Sequence, residues 1–235
     1  MLDDTIHPAQ IQILYVLRHV TTARFSELMH PTGLQSDVFK FHLRKLVQLG
    51  YIEKLPDGRY CLSPKGKEFA NNLDSSERKV QKQPKLSVML VVSQLSATGE
   101  PVYLLHRRKR HPYFGFWGHM SGPIQWGETP EATAARELQK QTGLSADFTI
   151  EAFYRQRDYN SEATPTLFED KLFVILRAQI IQGTLTNTWN GGTSEWMTLA
   201  DIERQDKVFT STSEVATLAA GRYISRDMYY ESEHY

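Results

Sequence analysis

The sequence contains little of what marks exported or membrane-spanning proteins. It has one cysteine, Cys61, among 235 residues, so it forms no internal disulfide and no zinc cluster built from cysteines. No apolar run reaches the roughly 18 residues that a membrane-spanning helix needs. The first ten residues carry two acids and no apolar signal segment. These absences predict a cytoplasmic protein with no membrane partner.

Glycine and proline are also scarce, with 14 and 10 residues, which excludes collagen-like and low-complexity chains. Hydrophobic residues make up 40% and charged residues 23%, as is typical of a globular protein. The totals of 27 basic and 27 acidic residues conceal an uneven distribution. Residues 1–85 hold 13 basic and 9 acidic residues, whereas residues 86–235 hold 14 and 18. This asymmetry favours two domains with different partners.

Residues 74–85 mark the predicted boundary between the two domains. This stretch has a single apolar residue, Val80, and ends near Pro84. Because such a segment cannot bury an apolar face, we interpret it as a linker. The predicted domains are therefore residues 1–73 and residues 86–235.

The first domain is predicted to be mainly helical. A helical spacing of apolar residues follows Pro8, and Ser36 is the predicted N-cap of a later helix. The turn signal Pro56-Asp57-Gly58 joins two short strands. The predicted elements after the first helix are helices at 25–29 and 35–49, strands at 51–55 and 59–62, and a helix at 64–73.

This order of elements is typical of a winged helix-turn-helix domain. Residues 41–66 resemble the winged-helix domain of bacterial and archaeal regulators of the arsenic-repressor and multiple-antibiotic-repressor type. The resemblance implies that the third helix enters the major groove and that the wing contacts the DNA backbone or minor groove. A solvated helix face and a protein-interaction module are the alternatives. The residues that carry the resemblance are His42, Leu43, Leu46, Gly50, Ile52, Asp57 and Gly58.

The side chains of the third predicted helix divide into two sets. Polar and basic side chains on its outer face suit base edges and phosphates. Asp37 lies among them and weakens the positive field. The predicted DNA-binding residues are Gln35, Ser36, Lys40, Arg44 and Lys45 on the helix, with Lys54 and Arg59 beside the wing turn. The predicted core residues are Val38, Phe39, Leu43, Leu46 and Leu49, and Cys61 is predicted to be a small buried residue.

The second domain alternates strands with one marked helix, which predicts a mixed α/β sheet. Between the strands, residues 115–144 contain a spaced motif that is similar to the Nudix signature, G-x5-E-x7-R-E-U-x-E-E-x-G-U, where U is a bulky aliphatic residue. About residues 86–220 therefore resemble the Nudix family, which implies an α/β/α sandwich around a mixed sheet. The matching residues are Gly122, Glu128, Arg136, Glu137, Leu138, Gly143 and Leu144, and the predicted strands are 86–95, 101–110, 146–159 and 170–181.

The chain departs from the signature at its paired glutamates, which are Lys140 and Gln141 here. Residues at i, i+3 and i+4 share one helix face, so both lie beside Glu137. In the family, carboxylates on this face hold Mg²⁺ or Mn²⁺, which activates water. Only Glu137, as metal ligand and catalytic residue, and Glu128 keep that implied role, and a lysine ammonium repels a cation. The changes predict impaired hydrolysis, unless Glu162, Glu169 or Asp170 supplies further metal ligands.

We interpret Lys140 as a replacement for the positive charge of the metal. It would pair with Glu137 or Glu128 in the empty site and with a diphosphate in the occupied site. Arg136 has an alternative role as a structural brace. The predicted ligand-binding residues are Glu128, Arg136, Glu137, Lys140 and Gln141, with Arg107 from the basic run 106–111 and Trp126 from the aromatic residues around the motif. Of the aromatic residues Phe114, Phe116, Trp117 and Trp126, most are predicted to be core and one to stack on a base.

Together the two domains resemble the Nudix-related transcriptional regulators of NAD metabolism, whose Nudix domain senses ADP-ribose-type ligands. In those regulators the Nudix domain comes first. The resemblance implies a ligand-responsive regulator that binds double-stranded DNA as a homodimer. One alternative is a metal-dependent Nudix hydrolase of nucleoside diphosphates with an accessory winged helix. Another is a non-catalytic adaptor whose winged helix binds protein.

Overall fold

The computed structural model describes residues 6–73 and 82–234, so residues 74–81 of the predicted linker lie outside it. The chain divides into two compact units, one within residues 1–82 and the other within residues 83–235. Within the described residues, no helix combines the length and apolar character that crossing a membrane requires.

The described part of the N-terminal unit contains four α-helices and a two-stranded antiparallel sheet. They are α1 (Pro8–Arg18), α2 (Phe25–Met29), α3 (Ser36–Gln48), β1 (Ile52–Lys54), β2 (Tyr60–Leu62) and α4 (Pro64–Asn71). The first helix begins where His7 Nδ1 accepts a hydrogen bond from the backbone N–H of Ala9 at 3.1 Å. After α2, a short 3-10 helix (His30–Thr32) ends at Gly33, whose φ of 65° is left-handed. These elements lie where the sequence predicts helices and strands.

Three predictions in the N-terminal unit are wrong in detail. Val38 is 47% exposed rather than part of the core, because it lies one helical step away from the buried Phe39. The N-cap of α3 is Gln35, and Ser36 is the first helical residue. Cys61 is only half-buried, since successive residues of a strand point to opposite faces and Tyr60 occupies the buried one.

The C-terminal unit is built on a nine-stranded mixed sheet with the order β11-β7-β8-β3-β6-β5-β10-β9, and β4 pairs with β5. The pairs β3–β8 and β7–β11 are parallel, which confirms the predicted mixed sheet. The elements are β3 (Lys85–Val91), β4 (Ser93–Leu95), β5 (Pro101–Arg108), β6 (Trp117–Pro123), α5 (Pro130–Thr142), β7 (Ser145–Asn160), β8 (Leu167–Gln182), β9 (Thr188–Trp189), β10 (Gly192–Met197), α6 (Leu199–Glu203), α7 (Ser211–Ala216) and β11 (Arg222–Tyr230).

Helices cover both faces of this sheet. Alternate residues of β3 point to opposite sides: Val88 and Leu90 pack with Leu138 of α5. On the other face, Met89 belongs to the core cluster that contains Ile202 of α6. The unit is therefore a three-layer α/β/α sandwich.

The strands depart from the sequence prediction in several places, and β6, β9 and β10 have no predicted counterpart. The predicted strand 86–95 is interrupted, because β3 ends at Val91 and β4 begins at Ser93. The C-terminal residues form β11, which the sequence did not indicate. Its last residue, Tyr230, is buried and packs against Tyr113 and Phe116.

Candidate functional site

The motif residues are positioned by α5, which has clear start and stop signals. Thr129 Oγ1 accepts a hydrogen bond from the backbone N–H of Ala132 at 3.2 Å, and Pro130 opens the first turn. Gly143 ends the helix with a left-handed φ of 72°. The intervening thirteen residues place Glu137 and Gln141 on the buried side of the helix.

Glu137 lies against the backbone of β6 and is 3% exposed. The close approach requires a glycine at position 122, because a Cβ there would overlap Cγ and Cδ of Glu137. The glycine that begins the motif therefore makes room for its central glutamate.

Three neighbouring side chains contact the carboxylate oxygens of Glu137. The Arg136 guanidinium pairs with Oε1, and Lys140 Nζ lies 3.5 Å from the same oxygen. Gln141 Nε2 donates to Oε2 at 2.8 Å and to the carbonyl oxygen of Ser121 at 3.2 Å. The carboxylate is thus surrounded by two cations and an amide donor.

Glu128 is held by the same arginine. Nε and Nη2 of Arg136 each donate to a different carboxylate oxygen at 2.8 Å, and Thr133 Oγ1 donates at 2.7 Å. The Arg136 hydrogen bonds, followed by that of Thr133, lower the pKa of Glu128 to about 2. The same pairing raises the pKa of Arg136. Arg136 therefore braces the loop before α5 to the helix.

These residues do not fit a divalent metal. In the described part of the chain, no three His, Cys, Asp or Glu residues are grouped to hold one. The acids proposed as substitutes are paired elsewhere: Glu169 with Lys85 at 2.9 Å, and Asp170 with Arg155 at 2.8 Å. Glu162 accepts a hydrogen bond from Ser232 at 2.9 Å. Mg²⁺ and Mn²⁺ prefer several anionic oxygens as ligands. Here the carboxylates of Glu128 and Glu137 are paired with cationic side chains instead.

A tryptophan that the sequence analysis did not identify lies beside the motif. The ring centroid of Trp189 is 5.4 Å from Lys140 Nζ and 6.0 Å from the Arg110 guanidinium carbon. Both cations are within the range of cation–π attraction. Trp189 therefore brings Arg110 and Lys140 to one place at the motif.

A cavity of ≈ 60 Å³ is lined by residues of the sheet strands together with residues of α5 and α7. Gln141 belongs to both the motif and the cavity wall, so the two are continuous. Three cations line the wall, Arg108, Arg110 and Lys171, while no described Asp or Glu does. The cavity wall also contains His106, His119 and Tyr113.

Burial controls the charges in this cavity. It lowers the pKa of His106 and of His119 to about 4, so both rings are neutral near pH 7. It also lowers the pKa of Lys171 and of Arg108, which shows that these cations are poorly solvated. The cavity consequently favours an anionic ligand.

The structure brings together five of the predicted ligand-binding residues, Glu128, Arg136, Glu137, Lys140 and Gln141. It does not bring Arg107 or Trp126 to the cavity wall. Arg107 is exposed on β5, and the next residue, Arg108, points inward. Trp126 has a fully exposed side chain and Phe114 is 52% exposed, whereas Phe116 and Trp117 are buried, so the prediction that most of these four aromatic residues are core is wrong. Trp126 and Phe114 each lie on a loop between elements.

All seven predicted DNA-binding residues are exposed on the N-terminal unit: Gln35, Ser36, Lys40, Arg44, Lys45, Lys54 and Arg59. Lys40, Arg44 and Lys54 line one groove between α3 and β1. Arg59 is paired with Asp57 at 2.8 Å, and Lys40 lies 3.4 Å from Asp37. These surface pairs partly offset the positive charge of the groove.

Comparison with protein-family models finds one matching domain in the second unit. Residues 84–216 match the model of the NUDIX domain, which amounts to more than half of the chain. Part of the chain is also 33% identical, over 101 residues, to an octanoyltransferase of Myxococcus xanthus. That alignment covers 43% of this chain and 28% of the octanoyltransferase, so the chain spans just over a quarter of that protein.

Solved structures also resemble the chain. The NUDIX domain of Shewanella oneidensis NrtR, complexed with ADP ribose, is 21% identical with a TM-score of 0.48. That match covers 63% of this chain and 92% of the NrtR domain. The MutT protein of Bacillus halodurans is 13% identical with a TM-score of 0.49, and the match covers 64% of this chain and 93% of MutT.

Proposed function

We propose that this chain, which belongs to the Nudix family, is a ligand-responsive, DNA-binding transcriptional regulator. Its Nudix unit would bind a nucleoside diphosphate of the ADP-ribose type without efficient hydrolysis. The proposal rests on one observation. The Glu137 carboxylate forms ion pairs with Arg136 and Lys140 and accepts a hydrogen bond from Gln141. A site arranged in this way retains positive charge for a diphosphate and lacks the ligand set for a metal.

Diphosphate binding would use the cations beside the motif. Lys140 contacts Glu137 at 3.5 Å, which is a weak and exchangeable ion pair, and its side chain is 53% exposed. Arg110 lies near the same Trp189 ring, with its guanidinium carbon 6.0 Å from the ring centroid. Phosphate oxygens entering between these cations would replace the long contact with charge-assisted hydrogen bonds. The cavity beyond Gln141 would then receive the remainder of the ligand.

The proposed DNA-binding role belongs to the N-terminal unit, interpreted as a winged helix. The exposed face of α3 presents polar and basic side chains beside the basic groove, as a recognition helix requires. Arg59 would contact phosphates from the wing. We further propose a homodimer that reads a palindromic site in the cytoplasm, with ligand binding changing DNA affinity.

Turnover separates this proposal from a hydrolase. The purified full-length protein is incubated with ADP-ribose and other nucleoside diphosphates, first with Mg²⁺ and then with Mn²⁺, and mononucleotide release is quantified. We expect binding by calorimetry and no release. Metal-dependent release that disappears in Glu137→Gln would establish an enzyme and overturn the proposal.

The double variant Lys140→Glu/Gln141→Glu tests the same site in the opposite direction. It removes one of the two cations and adds two carboxylates beside Glu137, so we expect Mn²⁺ binding and metal-dependent hydrolysis to appear. The matched control is Lys140→Gln alone, which removes the cation without adding a carboxylate. If the folded double variant neither binds Mn²⁺ nor hydrolyses ADP-ribose, the explanation based on Lys140 is wrong.

A further inference from the structure

Lys171, on the inner wall of the cavity, is a largely buried lysine whose positive charge is balanced, among the described residues, only by two long ion pairs. The Lys171 side chain is 19% exposed, and its ammonium lies 3.6 Å from Glu169 and 3.8 Å from Asp158. Both contacts are ion pairs, and both are too long for hydrogen bonds. A buried ammonium with such partners pays a desolvation cost that its ion pairs offset incompletely.

Arg108 enters the same cavity with still fewer partners. Its Nε donates to the carbonyl oxygen of Pro112 at 3.0 Å. Across residues 6–73 and 82–234, no carboxylate oxygen lies within 4.0 Å of its guanidinium. The rest of this planar donor group is therefore available to a ligand.

The charges behind the wall leave this end of the cavity positive. Asp158 and Glu169 are the two carboxylates of the network, against the three cations Lys85, Lys171 and Arg108. Burial also raises the pKa of Asp158 above its usual value. His106 and His119 are neutral near pH 7 and add no charge to this end of the cavity.

Tyr113 fixes the geometry of this end of the cavity. It adopts a φ of 64°, which is unfavourable for a tyrosine, and its side chain is buried. Its hydroxyl donates to Asp158 at 2.7 Å, and its ring centroid lies 5.6 Å from Lys171 Nζ. A strained backbone that is held by several contacts is typical of binding sites.

We infer that the ligand carries a second anionic group, a phosphate or a carboxylate remote from its diphosphate, and that Arg108 and Lys171 bind this group. The inference rests on the proposed function, because it assigns the diphosphate to the motif. An uncharged nucleobase at this end would leave the Arg108 guanidinium without a counter-charge and Lys171 with only its two long ion pairs.

The test uses pairs of ligands that share a diphosphate and differ in one anionic group. NAD and NADP differ by one phosphate, as do dephospho-coenzyme A and coenzyme A, whereas UDP-glucose and UDP-glucuronate differ by a carboxylate. We expect the more anionic member of at least one pair to bind the full-length protein about tenfold more tightly in calorimetry. The pair that shows the preference identifies the group as phosphate or carboxylate.

In Lys171→Met this preference should disappear, because the affinity for the more anionic member falls to that for the less anionic member. Lys109→Met, at an exposed neighbour of Arg108, is the matched control and should retain the preference. All four tryptophans lie in the second unit, so their fluorescence reports whether it is folded. If Lys171→Met unfolds, Arg108→Gln replaces it.

The outcomes separate this inference from the proposed function. Wild-type protein that binds none of ADP-ribose, pyrophosphate and the six compounds overturns the proposed function. Protein that binds pyrophosphate but shows no preference in any pair overturns only the second anionic site. A preference that survives in a folded Lys171→Met and in a folded Arg108→Gln also overturns it.

Discussion

At the scale of single residues, two changes from the family signature alter the chemistry of the motif. Lys140 and Gln141 stand where the signature has glutamates, and both contact Glu137 in the structure. Other signature residues have structural roles that need no metal. Arg136 forms ion pairs with both Glu128 and Glu137, and Gly122 lets the Glu137 side chain approach β6. Their retention is therefore compatible with binding in the absence of hydrolysis.

The contact between Gly122 and Glu137 gives a test of this structural role. Gly122→Ala should lower the free energy of unfolding by about 1 to 3 kcal/mol, because the new methyl overlaps the buried glutamate side chain. Denaturant unfolding followed by tryptophan fluorescence measures the change. In a Glu137→Ala background, which removes the overlapping atoms, the same glycine substitution should cost much less. Equal costs in the two backgrounds would contradict the proposed contact.

At the scale of secondary-structure elements, local patterns predicted α1 to α5, whose signals are local, and missed the short helices α6 and α7. The predicted helix at 25–29 coincides with α2, and the motif spacing that closes at Gly143 identifies α5. Non-local elements were missed for a physical reason. Each residue of β11 pairs with a residue of β7 that lies 70 positions earlier, and β9 is two residues long. Neither has a sequence pattern of its own.

The same distinction explains the site residues. In β5 the sequence predicts the strand but not which of two adjacent arginines points inward, since a shift of one residue exchanges the faces. In the sequence, Lys171 does not differ from an exposed strand lysine. Its burial depends on the neighbouring strands β3 and β7, which are distant in sequence. Glu128, Arg136, Glu137, Lys140 and Gln141 were predictable because one helix and its preceding loop contain them all.

The exposed face of α3 permits a prediction at this scale. If its basic residues contact phosphates, Arg44→Ala should weaken DNA binding and reduce the slope of log affinity against log salt by about 1. Fluorescence anisotropy with a labelled duplex, between about 50 and 200 mM salt, measures the slope. Lys67→Ala, an exposed lysine on α4, is the matched control and should leave it unchanged. An unchanged slope in Arg44→Ala would mean that this face of α3 does not contact DNA phosphates. DNA binding that does not depend on salt would favour the alternative of a non-catalytic adaptor whose winged helix binds protein.

At the scale of the whole molecule, the two units carry opposite charge. The basic excess lies in residues 1–85 and the acidic excess in residues 86–235. This distribution suits a chain in which one unit binds a polyanion and the other takes up an anion only inside a cavity lined by cations. Local placement of charge, rather than net charge, therefore decides what each unit binds.

A regulator also requires that the two units influence each other, and thermodynamics makes this testable without an assumed geometry. If ADP-ribose changes the affinity for DNA by some factor, DNA must change the affinity for ADP-ribose by the same factor. A duplex selected from a random pool by the protein itself supplies the DNA, and calorimetry measures ADP-ribose binding with and without it. We expect equal factors of about 5 to 150 in the two directions. A factor of one in both directions would mean that the units bind independently, and the chain would then be a DNA-tethered ligand-binding protein rather than a ligand-responsive regulator.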